Sequence, residues 1–338
     1  MGVREKMNLN YKNKFKDKNV MITGGLGFIG SNLAHKLVEL GANVLLVDSL
    51  IPDFGGNLFN INLIKNKVRV NISDIRVGHT MEYLVKDQNY IFNLAGQVSH
   101  IDSMRDPITD LEINARAQIS LLEACKKNDK NVKIVFASTR QIYGKADYLP
   151  IDEKHILRPT DFNGISKMAG EWYHILYNNF YGIKTCSLRL TNTFGPRQLM
   201  MHNRQGFIPW FVRQIIDGEE IKIFGSGEQL RDINYVADVV EAFLSAAVAE
   251  KTNGQIYNLG HHEPVSLKGF VETLIKVNGK GKYTITPFPE EKAKIDVGST
   301  YCSYDKIKKD LGWEPKVSLA EGLKRTLDYY RKYKKNYW

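Results

Sequence analysis

The 338-residue chain has no apolar run near the roughly 18 residues that a membrane-spanning helix needs. Its longest candidate, 242–249, is closed off by Glu241 and Glu250. The first 18 residues are rich in Lys and Asn and have no apolar core, so no secretory signal is expected. Cysteine is scarce: Cys125, Cys186 and Cys302 are far apart and show no metal-binding spacing. Reduced thiols in a cytoplasmic protein are the expectation. The eight histidines include no H-E-x-x-H; His261–His262 is the one adjacent pair, and no metal site is expected. Repeats and low-complexity stretches are absent as well. What is there is ordinary: 43% hydrophobic, 25% charged and 11% aromatic residues, which excludes disorder, collagen and coiled coil. The 47 basic against 37 acidic residues give +10; the charges are scattered, so a Lys-rich solvated surface is expected and neither a nucleic-acid nor a membrane partner.

The first half alternates short apolar strands with amphipathic helices. Strands are expected at 19–23, 43–47, 68–72, 90–94, 132–137 and 184–190, with helices through Leu40 and over 108–127 and 163–180. That alternation predicts βαβ units and a doubly wound parallel sheet. After about Arg189 the pieces shorten, with helices near 207–217, 238–250, 267–277 and 319–333 and strands at 221–224 and 256–259. The expected organisation is a tail (1–17), a Rossmann domain (18–190) and a smaller C-terminal α/β lobe (191–338), with chain crossings between the lobes.

Thr23-Gly24-Gly25-Leu26-Gly27-Phe28-Ile29-Gly30 follows the first strand and opens the first helix. Gly24 suits a tight turn, Gly27 lets the backbone approach a pyrophosphate, and Gly30 allows close helix–strand packing. Free N–H groups at the helix start then face the anion. Asp48 ends the second strand. A carboxylate there can hold both ribose hydroxyls and repels a 2′-phosphate, which favours NAD over NADP.

The G-x-x-G-x-x-G spacing resembles the extended short-chain dehydrogenase/reductases, in particular the nucleotide-sugar epimerase/dehydratase branch typified by UDP-glucose 4-epimerases. The resemblance runs from about Lys18 to Tyr333. It implies that Asp74-Ile75 contacts the adenine, that Asn93-Leu94-Ala95-Gly96-Gln97 lines the cofactor, and that Asn114 belongs to the central helix of the family.

Ser138-Thr139-Arg140-Gln141-Ile142-Tyr143-Gly144 resembles the strand-end motif of that family, with Thr139 at the catalytic position. The resemblance implies that Thr139 hydrogen-bonds the sugar oxygen being oxidised. A Tyr-x-x-x-Lys should follow; Lys167 is in place, but the Tyr position is Asn163. An amide is no general base. Three readings follow. Another group takes the proton (Lys167, His100, Tyr143 or water through Thr139), or the chain binds both ligands without turnover, or it is an inactivated form. A Lys crowded by a cationic nicotinamide loses basicity, and His100 has an unperturbed range suited to proton transfer. Related 4,6-dehydratases carry an acidic pair after the Thr; Arg140 and Gln141 stand there instead, which disfavours dehydration.

On the substrate side, Asn192 matches a contact to the diphosphate, Gln229 to the nucleotide ribose and Arg231 to the diphosphate, with Tyr143 in the sugar pocket. Asp296 and Asp305 fall where relatives approach the nucleoside, and the loop 197–204 could cover the sugar. The resemblance therefore implies an NAD-dependent nucleotide-sugar epimerase acting through transient oxidation of a ring hydroxyl, C4 first, in a homodimer. An NDP-sugar dehydrogenase, reductase or dehydratase-like enzyme and a non-catalytic NAD-binding protein are the alternatives.

Overall fold

Strand β1, Asn19–Thr23, is buried over its last four residues, and its side chains divide by alternation. Val20 and Ile22 enter one hydrophobic cluster and Met21 another. The same split recurs along β2 (Asn43–Asp48), where Val44 and Leu46 face one layer and Leu45 and Val47 the other. A strand apolar on both faces has to be covered on both. This computed structural model describes residues 11–128, 131–288 and 297–338. In it β3 (Val68–Ile72), β4 (Tyr90–Asn93), β5 (Lys133–Thr139), β6 (Lys184–Leu190) and β7 (Gln255–Leu259) complete a sheet of order β7-β6-β5-β4-β1-β2-β3. Every pairing in it is parallel.

Helix α1 (Phe28–Glu39) and helix α5 (Val236–Val248) pack together over one face. Over the other lie α2 (Gly78–Leu84), α3 (Ala117–Asn128) and α4 (Phe162–Tyr181). The strand order reverses at β1, which has β2 on one side and β4 on the other. A crevice opens at the C-terminal ends of strands where the order reverses, and ligands bind there. The site described below sits in it.

Two details differ from expectation. The single helix over 108–127 is interrupted: Pro107–Leu111 is α-helical, Glu112–Arg116 makes a π-turn, and α3 follows. Gln118 Nε2 donates to Ile113 O at 2.9 Å across that wider turn. The segment expected as a tail is anchored from Tyr11 onward. Residues 11–15 are helical, Phe15 is fully buried 4.9 Å from the Tyr90 ring, and the Tyr11 hydroxyl is 2.6 Å from Ser245 Oγ. Residues 1–10 lie outside the described ones. Chain crossings do occur: α5 and β7 come after residue 190 yet complete the cofactor layer.

The rest of the C-terminal part uses short ladders. Asn192–Phe194 pairs with Ile233–Tyr235, Leu230–Arg231 with Val265–Ser266, and Ile221–Phe224 with Tyr283–Thr286. All three cysteines are buried, and none forms a disulfide. Among the described residues no helix is long and apolar enough to cross a membrane.

Candidate active site

The cleft at the strand ends begins with the glycine turn. Gly24 has φ +66°, where a side chain is strained, and a Cβ there would sit 3.0 Å from the Ala95 backbone. A Cβ on Gly30 would lie 2.2 Å from Gly24 O, so only glycine lets α1 start this close to the turn. Thr23 Oγ1 buttresses the opposite rim: it donates to Asn93 Oδ1 and accepts from the amides of Leu94 and Ala95, both at 3.1 Å. Gly24, Gly27, Phe28, Ile29, Gly30, Leu94 and Ala95 all line the cleft. Its free volume is about 310 Å³.

Asp48 lines the same cleft. Its two oxygens accept from Leu26 N at 3.0 Å and Leu50 N at 2.9 Å, and burial pushes its carboxyl above the ordinary range. No cation pairs with it among the described residues. That arrangement fits two neutral ribose hydroxyls and not a phosphate. Asp74 and Ile75 form the next stretch of wall. Burial raises the Asp74 carboxyl, but hydrogen bonds and charge from Arg76, 2.6 Å away, outweigh that and keep it below the usual range.

At the far end stand Thr139, at the tip of β5, and Lys167 and Asn163, in the first turns of α4. Asp161 caps α4 through Gly164 N at 2.7 Å. Lys167 Nζ donates to Ala137 O at 3.2 Å, and a Cβ on Gly96 would come within 2.6 Å of it. Asn163 is turned into a buried network. Its Nδ2 donates to Gln97 O at 2.7 Å and to Asp110 Oδ2 at 3.0 Å. Asn114 Nδ2 reaches the same two acceptors at 3.0 Å each, from the π-turn. Gln97 and Asn114 therefore hold the cofactor loop from behind and do not line the cleft. Burial governs the charges here. It raises the fully buried Asp110 carboxyl and lowers Lys167 to about 8, each against the attraction of the other. Asp110 escaped sequence reasoning; its only signal is its spacing four residues before Asn114.

His100 opens a short helix, His100–Arg105, and bridges two elements. Its Nδ1 bonds Asp161 Oδ2 and its Nε2 faces Gln141 Nε2. Gln141 lines the cleft, while the ring of His100 stands just behind it. Asp161 went unnoticed in the sequence because its capping role hides it.

Tyr143 is the clearest departure. It was expected in the sugar pocket and as a proton acceptor, but it is fully buried. Its hydroxyl donates to Asn258 Oδ1 at 2.7 Å and accepts from Arg189 at 2.6 Å, and burial pushes it above its usual range. It serves packing between strands, because the 3₁₀ turn Arg140–Tyr143 carries it away from the tip of β5.

The substrate-lobe residues lie outside the cofactor cleft. Asn192 Nδ2 donates to Asp232 O at 3.0 Å, although its neighbours Thr191 and Thr193 do line the cleft. Gln229 Nε2 donates to Phe224 O at 3.2 Å. The nearly buried Arg231 donates to Leu230 O and Gly298 O. Asp305 opens the helix Asp305–Leu311 at an exposed position, its N–H donating to Ser303 Oγ at 3.1 Å, and Asp296 lies outside the described residues. The loop after Arg197 covers the cofactor side: Gln198, Leu199 and Gln205 line the cleft opposite Ile51 and Phe54. Arg204 holds it there, bonded to Asp53 at 2.7 Å and Asp102 at 3.2 Å. Sequence reasoning missed this clasp.

Residues 20–260 match the model of the NAD dependent epimerase/dehydratase family. A putative UDP-glucose 4-epimerase from Methanocaldococcus jannaschii is 35% identical, covering 92% of this chain and 98% of that protein. A UDP-N-acetyl-alpha-D-glucosaminuronate decarboxylase from Bacillus cytotoxicus is 30% identical, covering 93% and 98%. Among solved structures, UDP-glucose 4-epimerase from Thermotoga maritima with UDP-glucose aligns at TM-score 0.84 and 35% identity, over 93% of this chain and 99% of that one. Thermus thermophilus UDP-glucose 4-epimerase complexed with NAD aligns at TM-score 0.82 and 31% identity, over 93% and 99%.

Proposed function

The chain belongs to the NAD-dependent epimerase/dehydratase family and is an NAD-dependent enzyme; from there we propose that it epimerises a nucleotide diphosphate sugar by transient oxidation at C4. One observation carries the reading. Thr139 and Lys167 meet at one end of a cleft whose other end is the glycine turn and Asp48. Bound NAD supplies the two-electron acceptor and, on return, the donor. Gly24, Gly27 and Gly30 leave room for its diphosphate, Asp48 takes a ribose, and the Lys167 ammonium holds the second ribose.

Thr139 Oγ1 accepts Gln141 N at 3.2 Å and keeps its own proton free to donate. It orients the sugar hydroxyl that is oxidised. Asn163 does no proton transfer; it locks the loop 94–99 onto α4. Dehydration is disfavoured, since Arg140 and Gln141 offer neither a general acid nor a base at neutral pH. Asn192, Gln229 and Arg231 hold the nucleotide diphosphate in the adjoining lobe.

Support for the homodimer comes from apolar side chains left on α4 and on the helix Pro107–Leu111. Ile108, Leu111, Ile165, Trp172, Leu176 and Phe180 are all exposed. A patch of this kind marks a protein interface.

The test is incubation with UDP-, GDP-, CDP- and dTDP-sugars, read by product NMR and by absorbance at the NADH band. Appearance of the 4-epimer with no net NADH is expected. Stoichiometric NADH would make the chain a dehydrogenase, loss of water a dehydratase, and inertness throughout a binding protein.

A further inference from the structure

Oxidising a sugar hydroxyl releases a proton, and Asn163 cannot take it. Tyr143 is sealed between Arg189 and Asn258, and Lys167 is tied to Ala137 O and to the charge of Asp110. We propose that His100 and Asp161 form the proton-accepting pair, with His100 Nε2 as the accepting atom, Asp161 as the residue that positions it, and Gln141 as the gate displaced by the sugar hydroxyl. This rests on the oxidation reading above.

Three observations support the pair. Asp161 accepts at both oxygens, Oδ2 from His100 Nδ1 and Oδ1 from Gly164 N at 2.7 Å, and its side chain is only 3% exposed. A carboxylate fixed in this way can only accept, so it places the imidazole proton on Nδ1 and the lone pair on Nε2. Nε2 is not buried in apolar surroundings: it faces the Gln141 amide, and the His100 side chain is 39% exposed. Gln141 itself lines the cleft, its amide N–H bonds Thr139 Oγ1, and its Oε1 is buried without a partner. The Gln141 side chain thus occupies the place of a donor at Nε2, beside the hydroxyl that orients the substrate.

The step balances. The sugar O–H proton passes to His100 Nε2, and the carbon gives its hydrogen with two electrons to bound NAD, leaving C=O. Reversal at the other face of the carbonyl returns both. The imidazolium formed is offset by Asp161. Burial raises the Asp161 carboxyl, but the hydrogen bond and charge of His100 outweigh it. The other charged group acting on the pair is Arg140, whose charge also lowers the Asp161 carboxyl.

The test uses three variants of the full chain, with 15N-histidine NMR beside kinetics. His100→Ala should lower kcat on the order of 10²–10⁴-fold, with KM and NAD binding little changed and partial rescue by added imidazole. Asp161→Ser keeps the helix cap but lacks the carboxylate. It should mix the two tautomers of His100 in the ligand-free protein and lower kcat with KM little changed. Gln141→Ala should leave the tautomer as in wild type. An active wild type whose His100→Ala form keeps full kcat, or whose Asp161→Ser form keeps both the tautomer and kcat, overturns the pair alone. A wild type inert toward every nucleotide sugar overturns the oxidation reading and the pair with it.

Discussion

Replacing Asn163 by Asp changes one nitrogen to oxygen and nothing in shape. In the structure that nitrogen sits 2.7 Å from Gln97 O and 3.0 Å from Asp110 Oδ2, in a side chain only 2% exposed. Two attractive contacts become acceptor–acceptor contacts. The neutral bond is worth about 1 kcal/mol and the bond to a carboxylate about 1.5–3 kcal/mol. Two ionised carboxylates about 3 Å apart would add a repulsion of up to roughly 5 kcal/mol at an effective dielectric constant near 20. The new carboxyl escapes by keeping its proton and donating it to Asp110. Its pKa in the folded state is then raised above that of the unfolded chain. The sign follows: the proton-bound form stabilises the fold at low pH, and that stability is lost as pH rises through the raised folded value. Urea unfolding of Asn163→Asp against wild type should show a small deficit near pH 5. Near pH 8 the deficit should reach at least about 2.5 kcal/mol, the lower end of the summed contacts. NAD affinity should fall in step, because Gln97 O anchors the loop that carries Leu94 and Ala95. A deficit equal at both pH values would refute the network.

Lys167→Ala should abolish turnover and weaken NAD binding, checked by single-turnover absorbance and by titration; full activity would remove Lys167 from the site. Arg231→Ala should remove nucleotide-sugar binding while NAD still binds, as seen by calorimetry with each ligand. Glu171→Gln strands Arg189, which makes three hydrogen bonds to Glu171 with both side chains at most 2% exposed; a loss of about 3–5 kcal/mol in urea unfolding is expected. Leu176→Glu places a charge in the exposed apolar face of α4 and should convert a dimer to a monomer in sedimentation, with the far-UV spectrum unchanged.

Much of the cofactor half was legible because its signals are local. The glycine turn is confined to eight consecutive residues, and strands apolar on both faces announce a sheet covered on both sides. Bounds moved by a residue or two, as at Asp48 and Thr139. What escaped depends on contacts between distant segments. The π-turn at Glu112–Arg116 has no helix-breaking residue in it and follows from packing against α4. Tyr143 read as a site residue because it belongs to the strand-end motif with Thr139; only the 3₁₀ turn Arg140–Tyr143 shows that it is carried into the core. Arg204 reaches Asp53 across 151 positions, which no motif encodes.

The buried amide of Asn163 has a mechanical role in the first turn of α4. Asn163, Lys167, Gly170, Glu171 and His174 are buried along one face of α4. Gly170 sets the spacing: a Cβ there would lie 2.6 Å from Asn114 O, the π-turn residue that shares Gln97 O and Asp110 with Asn163. The helix approaches the π-turn this closely only because residue 170 has no side chain. Its first turn is then pressed against Asp110, and a short amide fills the gap while satisfying both buried acceptors. A phenol at 163 would have to leave those acceptors with one donor fewer. The same first turn carries the Asp161 cap, which holds His100. Asn163 is thus a structural strut, and the carboxylate two residues earlier holds His100 from the opposite loop.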